Sequence, residues 1–247
     1  MGELIAFLSG KGGTGKTSLC AGIATSLAKM GESVLCIDCD VGLRNLDIAL
    51  AMTDCGGLSF QDVCQGNYSL EHAPAHPKFP SLRFLTAPIH CTADAIDSTA
   101  FGALVRQARK QFKYIFLDAP AGVEAGFRLA AQYADRVVVV TVTDPASIRD
   151  AARTGELLEL MGKKEVRLIV NRINEKLYAA GRFTVDDVMD KTGLRLLGIV
   201  PEDPNVVLAA AFETPLITYT KKSAAAACGR IAKRMQGYSV PISTTTI

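Results

Sequence analysis

The residues best suited to chemistry cluster near the start of the chain. The stretch Gly10-Lys11-Gly12-Gly13-Thr14-Gly15-Lys16-Thr17, followed by Ser18, satisfies the pattern G-x-x-x-x-G-K-[ST]. Glycines at this spacing let backbone N–H groups converge on phosphate oxygens, and a helix starting at Lys16 would add its positive dipole end. Gly12, Gly13, Thr14, Gly15 and Ser18 are therefore read as the phosphate cradle. Lys16 is expected to reach the β- and γ-phosphates of ATP, and the Thr17 hydroxyl to ligate Mg²⁺. Lys11 is surplus to that task and places a second cation beside the phosphates.

Two acidic segments supply the rest of a phosphoryl-transfer site. Asp38-Cys39-Asp40 follows one apolar run, and Asp118 ends another, Tyr114-Ile115-Phe116-Leu117. An acid at a strand's carboxyl end lies beside the phosphate loop in an open parallel sheet. Asp118 is assigned to Mg²⁺, Asp38 to the metal shell, and Asp40 to the metal and to orienting the attacking water. Each acid could instead cap the turn that follows it.

Farther along, Asn171 and Arg172 end an apolar run, and Val200-Pro201-Glu202-Asp203 ends the next. An asparagine offers a base edge both a donor and an acceptor. Asn171, Arg172, Pro201 and Asp203 are taken as nucleotide contacts, with loop capping as the competing role.

These side chains need a scaffold, and the hydrophobic pattern describes one. Apolar runs at 4–8, 33–38, 82–86, 114–118, 136–142, 166–171 and 195–200 read as strands buried on both faces. Helical periodicity fills 16–29, 98–111, 124–133, 147–161, 185–192 and 223–235. This alternation predicts an α/β fold of three layers, a mostly parallel sheet with helices on both faces. Residues 1–238 are read as one domain, 239–247 as an extended or disordered tail, and the prolines at 74, 77 and 80 as marking a surface loop.

With 27 Lys plus Arg against 25 Asp plus Glu, net charge gives no nucleic-acid signal. Seven cysteines without a repeated C-x-x-C pair fit reduced thiols, and the pair Cys36 and Cys39 reads as incidental. The first apolar run is cut short by Ser9 and Gly10, so no secretory segment is expected and the chain is placed in the cytoplasm.

The box from Lys11 to Thr17 resembles the deviant Walker A box of the ParA/MinD family of P-loop ATPases. Asp38-Cys39-Asp40, then Gly42-Leu43-Arg44-Asn45-Leu46-Asp47, resembles the MinD branch more than the chromosome-partition branch. Asp118-Ala119-Pro120-Ala121-Gly122-Val123-Glu124 is similar to that branch's switch segment, with Ala119 where a serine is usual. The likeness covers residues 3 to about 220. It implies a P-loop NTPase fold, ATP and Mg²⁺ as ligands, and hydrolysis to ADP and phosphate. It also implies a homodimer formed on ATP binding, with Lys11 crossing to the partner's nucleotide and Asn171 helping to select adenine.

The role it implies is spatial regulation of bacterial cell division, at septum placement, with an activator or a division inhibitor as protein partner. A flagellar-number or chromosome/plasmid-partition ATPase is the alternative within the family. An iron–sulfur carrier and a scaffold that binds ATP without hydrolysing it are the alternatives outside it. The MinD branch also implies a basic amphipathic C-terminal helix that touches the inner face of the membrane. The apolar face of 223–235 is made of small residues, so it is read here as packing on the sheet, which leaves peripheral membrane contact in doubt.

Overall fold

The computed structural model describes residues 1–41, 43–89, 91–174 and 184–242. The outer part of the proposed tail, 243–247, and Gly42 of the switch motif lie outside the described residues. Eight strands form one sheet: β1 (Glu3–Leu8), β2 (Val34–Asp38), β3 (Ala75–His76), β4 (Phe79–Leu85), β5 (Tyr114–Asp118), β6 (Arg136–Thr141), β7 (Val166–Ile173) and β8 (Arg195–Pro201). Their order is β3-β4-β2-β5-β1-β6-β7-β8, parallel throughout except for the edge pair β3–β4. The seven strands expected from sequence are all present, with ends shifted by a few residues.

Alternation along β1 divides the core. Leu4, Ala6 and Leu8 face one layer; Ile5 and Phe7 face the other. The first layer holds α3 (Phe60–Cys64), α4 (Ser98–Gln111), α5 (Ala125–Tyr133), α6 (Pro145–Leu160) and α7 (Val185–Thr192). The second holds α1 (Lys16–Lys29), α2 (Leu46–Leu50), α8 (Asn205–Ala211), α9 (Leu216–Tyr219) and α10 (Ser223–Met235).

Helix α10 packs on α1 and β8, burying Ala224, Ala227, Cys228, Ile231 and Met235. Its small side chains allow close approach: a Cβ added to Gly22 of α1 would lie 2.7 Å from Cys228 Sγ. That is why the last helix presents little apolar surface outward. Arg234 then ties down the following segment, donating to the carbonyls of Leu197, Val240 and Pro241. Among the described residues no helix is long and apolar enough to cross a membrane.

The expected surface loop at 74–80 is instead a hairpin. Ala75–His76 pairs antiparallel with β4, and His76 is buried. Its Nε2 faces the Leu50 carbonyl at 2.9 Å, while Nδ1 accepts from the N–H groups of Lys78 and Phe79. A side chain that satisfies three backbone groups outweighs the local turn preference of the prolines. Helices α2, α3, α8 and α9 also escaped the sequence reading, being too short to show a period. All seven cysteines are free.

Candidate functional site

The carboxyl ends of β1, β2 and β5 converge on one spot. Parallel register sets Asp38 beside Asp118 and Phe7 beside Asp118, so both acids arrive next to the loop that leaves β1. That loop enters α1 through Gly15, whose φ of 83° is left-handed, and Gly13 has a φ of 81°. An added Cβ at Gly15 would stand 2.3 Å from Asn171 Nδ2, so the position excludes side chains on two counts. No side chain caps the first turn of α1, and the buried Thr14 hydroxyl has no partner. The loop therefore turns unsatisfied donors toward a single space, which is what a bound phosphate requires.

Lys16 is buried and its Nζ donates to Asp118 Oδ1 at 2.6 Å, with the Thr17 hydroxyl 3.5 Å away. The acid expected to serve the metal thus pairs with the lysine. Asp38 is equally buried, and its two oxygens accept from the backbone N–H groups of Asp40 and Leu46 at 2.9 and 3.2 Å. Burial, with the Asp118 charge beside it, pushes the Asp38 carboxyl up to about 7. Asp40 is only half-buried and opens onto the cleft. Burial raises its carboxyl, Lys16 pulls the other way, and Asp118 adds to the rise.

The chemistry of this donor set fits Mg²⁺ only together with a nucleotide. Among the described residues no group of three or more His, Cys, Asp or Glu side chains is arranged to hold a metal alone. Carboxylate, hydroxyl and phosphate oxygens in combination are the usual surroundings of this ion. Both oxygens of Asp38, expected to support the metal shell, accept from the backbone of the turn that leads into α2.

Above the loop, two adjoining clefts of about 390 and 470 Å³ share Gly13, Gly15, Ser18, Val206 and Leu216. Together they have the size of a nucleotide site. One wall carries Leu43 and Ile48, the other Val206, Ala209 and Leu216.

The model of the CobQ/CobB/MinD/ParA nucleotide binding domain matches residues 5–216. The septum site-determining protein MinD of Bacillus subtilis is 36% identical over 247 residues, covering 98% of this chain and 92% of the relative. The chain belongs to the MinD/ParA family of nucleotide-binding ATPases. In the solved MinC:MinD cell division protein complex of Aquifex aeolicus, a chain superposes with a TM-score of 0.90 at 36% identity, covering 98% of both chains. MinD of Pyrococcus horikoshii, solved with Mg-ADP, shares the fold with a TM-score of 0.80 at 24% identity, covering 95% of this chain and 96% of its own.

Within this family member, the residues expected at the base are placed unevenly. Asn171 is buried against the loop, donating from Nδ2 to the Thr14 carbonyl at 2.7 Å, and lines the second cleft. Arg172 has a φ of 54° and pairs with Glu202 at 2.9 Å on the surface. The Asp203 carboxylate is taken up by capping: it accepts from Asn205 N–H and Nδ2 and, through its other oxygen, from Ala224 N–H. Pro201 ends β8 and lines the second cleft with these residues.

Lys11 lies at the outer lip, half-exposed, with Nζ 3.5 Å from Asp144 Oδ1. Asp144 caps α6 through Ser147 N–H, and hydrogen bonds from Ser147 hold its carboxyl below the usual range. The sequence reading missed Asp144, although Asp-Pro ahead of a helical period is a cap signal. It also missed the apolar wall from α8, where Asn205-Val206-Val207-Leu208-Ala209-Ala210-Ala211 carries no charge.

Proposed function

We propose that this chain is an ATP-binding and ATP-hydrolysing switch that pairs with a second copy of itself, with residues 1–238 as its working domain. The observation that carries this reading is the position of Lys11. Its side chain is exposed, on the residue just before Gly12 of the cleft lining, and its paired acid stands 3.5 Å away. A cation so placed adds nothing to the cradle that Lys16 already completes from below. It is free to serve a nucleotide facing it.

The apolar lip supports the same face as a contact between copies. Helix α8 lines the two clefts with Val206, Val207 and Ala209, yet Val207 and Leu208, and Phe212 just after the helix, are exposed, as are Leu43 and Ile48. A helix that is apolar all round needs cover on both sides. A two-fold approach that brings each Lys11 to the other's site covers these surfaces at once.

The chain's own groups then divide the work. The loop from Gly12 to Gly15, with Ser18, binds phosphate through backbone donors; Lys16 leaves Asp118 for the β- and γ-phosphates. Mg²⁺, held by Thr17 and the freed Asp118, would neutralise developing charge on the phosphate oxygens. Asp40, half-buried and facing the cleft, orients the attacking water, while Asp38 fixes the backbone from which Asp40 projects. Asn171 braces the loop, and Pro201, Arg172 and Asp203 shape the base end.

The family's cell-division members, one of them solved in complex with MinC, support a role in septum placement with a division-inhibitor partner. Size-exclusion chromatography tests the switch. Wild-type chain in Mg-ATP should elute as a dimer and in Mg-ADP as a monomer, whereas Lys11→Ala should stay monomeric in both. A stable Mg-ATP dimer of Lys11→Ala would remove the trans role.

A further inference from the structure

Away from the nucleotide face, α5 and α6 do not close on each other. Helix α5 packs toward α4, and α6 toward α7, leaving between them a groove of about 770 Å³. Its floor is Phe127, buried at 1% exposure, with Leu157 and Val123 beside it half-buried. Leu160 stands on the rim at 81% exposure. A leucine that is open to water above an apolar trough is a mark of an interaction site rather than of a core.

Among the described residues, the charged side chains that line the trough are all basic: Arg128, Arg153 and Lys163. Arg153 pairs with Glu156 one turn on, in a pair exposed at both ends (63% and 62%). Lys163 donates to the carbonyls of Gln132 and Ala134 at the end of α5. We infer that the α5–α6 groove docks an acidic amphipathic segment of a partner protein, its apolar side chains over Phe127 and Leu157 and its carboxylates toward Arg128 and Arg153. A second copy of this chain does not fit that description: the faces of α5 and α6 bordering the groove would bring the same cations together.

The groove is wired to the nucleotide site at both helix starts. Helix α5 follows residues 119–124, where Gly122 N–H bonds Ser9 at the end of β1, and α6 begins at Asp144, the resting partner of Lys11. A segment wedged between the two helices therefore bears on the switch loop and on the trans lysine together. That consequence rests on the ATPase reading; the docking itself does not.

Fluorescence anisotropy without nucleotide separates the two. The probes are two labelled 18-residue helical peptides with leucine at i, i+3, i+4 and i+7, one with glutamate on the polar face and one with lysine. The acidic peptide should bind the full chain at least ten-fold more tightly than the basic one. Arg128→Glu and the surface change Leu160→Asp should each weaken it about ten-fold, with the circular dichroism spectrum and melting temperature unchanged. Equal binding of both peptides, or indifference to both substitutions, overturns the proposal. So does nucleotide-free self-association abolished by Leu160→Asp, which would make a second copy the occupant.

Discussion

The inner and outer parts of the nucleotide site are held in opposite ways. Inside, Lys16 and Asp118 form a buried pair at 2.6 Å, Asp38 satisfies two backbone donors, and Asn171 braces the loop from below. At the lip, Lys11 and Asp144 stand 3.5 Å apart in solvent, and the apolar side of α8 is uncovered. The inner site is complete within one copy, except for the phosphate and metal that it is shaped to take. The lip is open by comparison, and the proposed pairing of two copies rests on that contrast.

Substitutions can break or sharpen that contrast. The largest effect belongs to Lys16→Ala, which strands the buried Asp118 carboxylate beside Asp38; the cost to folding should be about 3 kcal/mol in urea melts at pH 8. The loss should shrink at pH 6, below the value of about 7 to which burial pushes Asp38. A variant as stable as wild type would show that the inner pair is not the anchor described here.

Gly15→Ala comes next. It combines a left-handed φ with a Cβ against Asn171, and about 2 kcal/mol of destabilisation is expected from the strain and the displaced loop. Gly13→Ala, whose added Cβ meets nothing within 4 Å, should cost about 1 kcal/mol. Equal losses at the two positions would deny Asn171 its bracing role.

The edge hairpin supplies a pH-dependent effect. Burial first, opposed by the bond to Leu50 and aided by Lys78, lowers the His76 pKa from its ordinary value. The unfolded chain therefore binds this proton more readily than the folded one. Stability should be full above about pH 6.5 and decline as the pH falls below it, and His76→Gln should flatten that part of the thermal-melt profile.

Smallest is Lys11→Ala, which should leave single-chain stability within about 0.5 kcal/mol, because the pair is long and exposed. The same variant should lose the Mg-ATP dimer. Together these outcomes would place the lysine's role outside its own fold.

Much of this was legible in the residues. The strand–glycine loop–helix order, the acids at strand ends and the apolar runs all follow from short-range rules, so β1, α1, β2 and β5 were found with their ends nearly correct. Helices α8 and α9 were not, because the few residues from Asn205 to Tyr219 show no hydrophobic period. The hairpin at His76 was hidden by its prolines. Its stabilising partner, the carbonyl of Leu50, lies 26 residues earlier.

The sequence by itself determined which residues could bind phosphate, since glycine's freedom at positive φ and a lysine at a helix start are local properties. Only the tertiary structure decided what each acid and amide does. Strand order puts Asp118 against a lysine 102 residues away, Asn171 under a carbonyl 157 residues away, and the Asp203 carboxylate onto Ala224. Such partners depend on which strands lie side by side. No local pattern carries that information, because it comes from closing the sheet.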